Sequence, residues 1–328
     1  MQKTQISIDS EIGALNAVMV HRPGREIENM TPASAAEVLY DDILNLQLAE
    51  REHDQLTGVL RRVADVYEFE DLLRDALADQ HMKGLLVDEL VKLYGCEELA
   101  QEFKDTEDAA LAAQLFQGTP MRKDSLEKFL NPLRHAIPPL PNAFFTRDAV
   151  MAVNESVIIG SMAFKARFAE ALLLKAIFKY HDKIRSDGFY FDGTASTSEK
   201  ITIEGGDLLV LREDLIMIGH SERTTTRGID TLMRAIAEKG GVENFVVVEI
   251  PKSRATIHLD MIFTMVDRDR SVVFSPLITG MHKCRAFHVR YEQQRVKRIV
   301  EYPGVLEALR TQGLDLKPIP CGGDNELR

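Results

Sequence analysis

Cysteine is scarce in this chain: only Cys96, Cys284 and Cys321 occur among 328 residues. They show no paired spacing, which excludes a disulfide framework and a zinc knuckle. Basic residues are in the minority, 40 Lys and Arg against 51 Asp and Glu, and no basic tract offsets the formal charge of −11. That balance excludes a nucleic-acid binder. It is compatible with a small cationic ligand, which an acidic site attracts. Long apolar runs are also missing; none approaches the roughly 20 residues needed to span a bilayer. The polar segment Met1 to Glu11 lacks the apolar stretch of a signal peptide. The cytoplasm is therefore the expected location. The glycine pairs Gly205-Gly206 and Gly322-Gly323 lack the spacing and the following lysine of a phosphate cradle.

What the chain does contain is an internal repeat. Three acidic motifs, Phe144-Phe145-Thr146-Arg147-Asp148, Glu204-Gly205-Gly206-Asp207 and His258-Leu259-Asp260, each precede a hairpin pattern. Asp148 leads an apolar run from Val150, a turn at Asn154-Glu155, a second run to Ile159, and Gly160. Asp207 leads the same layout and ends at Gly219, so aspartate and glycine are twelve residues apart both times. After Asp260 the pattern recurs with slight slippage, from Met261 to Phe274. Such a repeat predicts a pseudo-symmetric array of sheets that aims its carboxylates at one place.

Around the repeat, Ala14 to Val20 reads as a buried strand closed by His21-Arg22-Pro23-Gly24. Thr31-Pro32 is a helix start, continued by Glu37 to Leu48 and then by a stretch from about Glu50 to Ala64. From Glu70 to Leu133 apolar residues fall at helical spacing with few β-branched residues, which predicts an inserted helical bundle. Phe164 to Tyr180 and Thr226 to Lys239 are helical, and Phe245 to Ile250 is a strand. The repeating unit is thus hairpin, helix, strand. The division expected is 1–69 and 134–328 as sheet modules, with 70–133 as the insert.

A carboxylate matches the planar N–H fork of a guanidinium bidentately. Asp148 and Asp260 hold corresponding repeat positions and Glu204 stands just before the third, so the three are candidates to surround one such group. The plainer alternative is that each caps a turn or pairs with Arg147 or Arg254. His258 lies two residues before Asp260, so in extended chain both side chains face one side, and an imidazole there can move protons near neutral pH. His258-Leu259-Asp260 is only half of a metal site, and nothing else stands at ligand spacing. Arg167 and Arg223 are candidates for gripping a substrate carboxylate. Cys284, in His282-Lys283-Cys284-Arg285, has a basic neighbourhood of the kind that lowers a thiol pKa.

In this order the motifs resemble the arginine deiminase family, from Gly13 to Asp324. The likeness takes in His21 to Glu26, Leu39-Tyr40-Asp41-Asp42, Pro141-Asn142 through Asp148, Glu204 to Asp207, His258-Leu259-Asp260 and Cys321-Gly322-Gly323. The resemblance implies an α/β fold, the pentein-type five-bladed α/β propeller, incomplete at its C-terminus and carrying the helical insert. It implies that Asp148, Glu204 and Asp260 hold the guanidinium of L-arginine and that His258 is general acid and base. Asn142, Arg167 and Arg223 match positions that recognise the amino-acid end. The implied product is citrulline with ammonia, through a thiouronium intermediate on a cysteine and without metal or organic cofactor. The family's nucleophilic cysteine lies beyond the Cys-Gly-Gly motif, so the resemblance also implies that this chain, ending at Arg328, lacks it and does not turn over arginine. None of the three cysteines present matches that position. Two other readings follow from the same residues: a non-catalytic arginine-binding or regulatory protein, and a related guanidine hydrolase or amidinotransferase. A homo-oligomer is left open; neither nucleic acid nor membrane is an expected partner.

Overall fold

The computed structural model describes residues 3–30, 38–131, 133–195, 200–253 and 255–321. The Thr31-Pro32 helix start, Arg254 and Gly322-Gly323-Asp324 lie outside the described residues. The chain is an α/β protein that divides into two units, each assembled from separated segments.

The first unit takes residues 1–4, 15–146 and 164–185. Its strands β1 (Ala17–Val20) and β2 (Asp65–Glu68) pair in parallel. Its longer helices are α1 (Leu46–Leu60), α2 (Phe69–Leu77), α3 (Gln80–Tyr94), α4 (Asp108–Gln117) and α5 (Phe168–Tyr180). Helix α2 shows how the sequence sets the packing. Phe69, Leu72, Leu73, Ala76 and Leu77 form a single buried stripe, and that stripe faces α4 and α5. Helix α3 starts where the Asp79 carboxylate accepts the N–H groups of His81 and Met82, and stops at Gly95 in left-handed conformation. The expected helix through Glu37 to Leu48 is formed only from Leu46, where α1 begins; among the described residues before it, Leu39 has φ of 71°. The cause is local. Asn45 caps α1 by accepting the Leu48 N–H, while Tyr40 turns away to donate its hydroxyl to the Pro141 carbonyl.

The second unit takes residues 5–14, 147–163 and 186–328. Three copies of one motif dominate it. In the first, β3 (Val150–Val153) and β4 (Ser156–Ile159) form a hairpin, and β5 (Phe189–Asp192) adds in parallel to β4. In the second, β6 (Leu208–Arg212) and β7 (Leu215–His220) form the hairpin. Helix α6 (Thr226–Lys239) then returns the chain to β8 (Asn244–Glu249), parallel to β7. In the third, β9 (Phe263–Asp267) pairs with β10 (Arg270–Phe274). A second hairpin, β11 (Ala286–Glu292) with β12 (Arg295–Tyr302), extends the sheet of β8. Helix α7 (Val305–Thr311) leads to β13 (Lys317–Cys321), parallel to β10.

The twelve-residue spacing has a steric reason. A Cβ on Gly160 would meet the Asp148 carbonyl at 2.8 Å, and one on Gly219 would meet Asp207 Oδ1 at 2.3 Å. Each hairpin returns against the aspartate that began it, and only glycine leaves that space open. Apolar residues of β6, β7 and β8 point to both faces, giving one core with α6 and another with α7. The start of α6 depends on Thr225, whose Oγ1 accepts the Gly228 and Thr202 N–H groups and donates to the Lys200 carbonyl. Thr225→Ala is expected to cost about 1–2 kcal/mol of stability, read as a lower urea midpoint.

Candidate active site

Each acidic motif makes a single helical turn that feeds its hairpin: Thr146–Ala149 before β3, Gly205–Asp207 before β6 and Leu259–Met261 before β9. The turns bring Asp148, Glu204 and His258 together, all buried. His258 lies between the two acids. Its Nε2 is 3.0 Å from Glu204 Oε2 and its Nδ1 is 3.7 Å from Asp148 Oδ1. The ring rests on Gly206, where an added Cβ would fall 2.5 Å from Nδ1.

Glu204 is fully buried and its oxygens are shared out. Oε1 accepts the Ala163 N–H at 2.9 Å, while Oε2 faces His258 and, at 3.4 Å, Arg223 Nη1. Its backbone N–H donates to Thr224 Oγ1. Asp148 Oδ1 accepts the Gly206 N–H at 3.2 Å. Arg147 does not pair with these acids; it reaches Glu11 and the carbonyls of Gly205 and Leu208.

Burial opposes charge on His258, but the hydrogen bond to Glu204 and the charges of Asp148, Asp207 and Glu204 outweigh it, so the imidazole pKa is raised. Asp260 keeps an exposed surface, yet the protein mass beside its carboxyl raises its pKa. Asp148 adds to that rise and His258 opposes it. The fully buried carboxyl of Asp207 is pushed up to about 7 by desolvation, against the pull of His258, Ser221 and Thr224. Asp207 was not among the residues the sequence singled out, although it heads the second repeat copy. The signal was present and the ligand role was given to Glu204 alone.

Among the described residues, Asp148, Glu204 and His258 are the one group whose ligand-type atoms lie within 4.8 Å of one another. The imidazole, however, turns a different nitrogen to each acid, and Arg223 already lies against Glu204. That is an ion-pair network, not a chelate aimed at one point.

Asn142 and Arg167 belong to the other unit and are both buried. Arg167 pairs with Glu170 at 2.7 Å and donates to the carbonyls of Phe145 and Asn142. The Asn142 amide donates to the Val38 carbonyl. Cys284 sits in the apolar core beside α7, and burial followed by the Glu249 charge pushes its thiol up to about 11. The lowering expected from its basic neighbours does not occur, because Arg285 is turned to Glu249 and Glu301, and Lys283 to Glu307. Burial likewise raises Cys96 to about 11. Cys321 is exposed at the end of β13.

The profile of the arginine deiminase family matches residues 36–328. An arginine deiminase of Bacillus cereus is 31% identical over 356 residues, covering 99% of this chain and 83% of that protein. One from Streptococcus gordonii is 33% identical over 348 residues, covering all of this chain and 83% of its own length. Among solved structures, a dimethylarginine dimethylaminohydrolase from Pseudomonas aeruginosa aligns with 94% of this chain and 93% of its own, at 11% identity and a TM-score of 0.46.

Proposed function

The chain belongs to the arginine deiminase family, hydrolases of the guanidino C–N bond, and on that premise we propose that its acidic cage binds L-arginine for conversion to L-citrulline and ammonia. The observation that carries this reading is the convergence of Asp148, Glu204 and His258 from three successive repeats. Carboxylates outnumber the neighbouring cations His258 and Arg223, so a further planar cation completes the charge balance. Asp148 and Asp260 hold the two sides of the guanidinium fork, and Glu204 holds it together with His258. Asn142, Arg167 and Arg223 recognise the amino-acid end. The three hairpin-plus-strand copies are read as blades of a five-bladed propeller.

In the family reaction a thiolate attacks the central guanidinium carbon. His258 protonates the departing nitrogen, which leaves as ammonia. It then takes a proton from the water that attacks the S-alkylthiouronium carbon, and citrulline forms as the C–S bond breaks. The cage residues supply binding, charge localisation and this proton transfer. The raised thiols of Cys96 and Cys284 make poor nucleophiles. That observation favours a second reading, in which the chain binds arginine without turnover.

Calorimetric titration with arginine, alongside citrulline assay and a panel of agmatine and dimethylarginine, tests both readings. Binding with citrulline supports the deiminase; binding alone supports the arginine-binding protein; no binding of any guanidine sinks the cage reading. The pH dependence has a fixed sign. Asp260 must be ionised to hold a cation and its pKa is raised. Arginine affinity is therefore expected to fall, as pH is lowered, before the ordinary aspartate range near 3.9 is reached.

A further inference from the structure

Aspartates at matching places in the first two repeats make matching bonds. Asp148 Oδ1 accepts the N–H of Gly206, the residue just before Asp207. Asp207 Oδ1 accepts the N–H of Leu259, the residue just before Asp260, at 3.0 Å. Each repeat thus fastens the acidic turn of the next. Beyond that shared bond the two acids differ. Asp207 is closed off from solvent, and Ser221 donates its hydroxyl to Oδ2 at 2.6 Å.

The direction of that Ser221 bond is set by its surroundings. Ser221 Oγ already accepts the N–H groups of Arg223 and Thr224, so its own hydrogen is left for Asp207. Leu259 N–H can only donate. Both carboxylate oxygens therefore face donors, and the Thr224 side chain is hydrogen-bonded to the same carboxyl. Hydrogen bonding of this kind favours the ionised form. The bond to Leu259 also fixes the backbone directly after His258.

We propose that Asp207 is a positioning residue, whose buried carboxylate anchors the His258–Leu259 backbone and serves as counter-charge to the His258 imidazolium. The charged groups around that ring are Glu204 and Asp148 in contact with it, Asp207 and Asp260 within electrostatic reach, and Arg223 on the far side of Glu204. Of the four acids, Asp207 and Glu204 are the two with no exposed surface. A guanidinium entering the cage would neutralise the carboxylates it touches. Asp207, occupied by Ser221 and Leu259, is not open to such contact, and above its raised pKa of about 7 it would go on supporting a protonated His258. The significance for catalysis rests on the acid–base role given to His258 above.

The test is the pH titration of His258 followed by NMR in protein carrying 13C-labelled histidine, with His258→Gln assigning the resonance. It requires no turnover, so it stands apart from the test of the deiminase reading. Asp207→Asn is expected to lower the His258 midpoint by about one pH unit or more. Ser221→Ala, which keeps the carboxylate but removes a donor, is expected to lower it by less. A folded Asp207→Asn protein with the wild-type midpoint would overturn the proposal. If Asp207→Asn does not fold, an unmoved midpoint in Ser221→Ala overturns it equally.

Discussion

Gly205→Ala is expected to prevent accumulation of the folded protein. A Cβ at Gly205 would lie 1.8 Å from the Arg147 carbonyl oxygen, and 2.8 Å from both the Arg147 carbonyl carbon and Met151 Cγ. The obstacle is backbone, so no rotamer change relieves it. Nor can the two segments easily part, because Arg147 donates to the Gly205 carbonyl and also reaches Leu208 and Glu11. Ordinary overpacking in a core costs about 1–3 kcal/mol, and a backbone collision of this depth should exceed that. A domain with about 5–15 kcal/mol in hand does not absorb such a loss without partial unfolding. The measurement is soluble yield together with the urea midpoint. Gly84→Ala, inside α3 with nothing within 4 Å of its Cβ, is the control. It should be stabilising by roughly 0.5–1 kcal/mol. If Gly205→Ala unfolds at the wild-type urea concentration, the close approach of the first two acidic turns is wrong.

Glu204→Gln should have the largest effect on ligand binding. The substitution keeps shape and removes the charge that faces both His258 and Arg223. Whichever way the amide is turned, its NH2 group opposes a donor, either the Ala163 N–H or the two cationic side chains. Removing one partner of a buried ion pair costs about 3–5 kcal/mol. If about 3–4 kcal/mol of that falls on the liganded state, arginine affinity drops on the order of 10²–10³-fold. Calorimetry reads that directly; unchanged affinity would reduce Glu204 to a structural acid. Stability should change in a pH-dependent way. The raised pKa of His258 means its protonation stabilises the wild-type fold fully below its ordinary value of 6.5, and that contribution is lost as pH rises through the folded value. In Glu204→Gln the profile across this window should flatten.

Much of this was legible in the sequence because the repeat is written in residues with strong local preferences. The hairpins of Val150 to Ile159 and Leu208 to Ile218 follow from alternating apolar runs and short polar turns, and α6 from Thr225 and Gly240 at its ends. The spacing of aspartate to glycine even carried the close approach that explains it. The gathering of Asp148, Glu204 and His258 could be anticipated from their matched places. The stretch after Glu37 was misjudged because Tyr40 is held by a carbonyl 101 residues away, which no local pattern reveals. The basic neighbourhood of Cys284 does not lower its thiol because Lys283 and Arg285 find acids elsewhere and leave the sulfur facing the core. Asp207 was overlooked for a related reason: its partners Ser221 and Leu259 come from both flanking segments, and only the folded chain joins them.

The fastening of one repeat by the next also bears on how the chain emerges from the ribosome. Asp148 waits for a backbone N–H that lies 58 residues downstream, and Asp207 for one 52 residues downstream. A nascent chain that has just released its first hairpin holds a carboxylate with no lock to close. If the array forms during synthesis, each of these two bonds closes only after the following copy has emerged. Pausing between copies would then leave the newest turn unlatched and accessible to a chaperone or a protease.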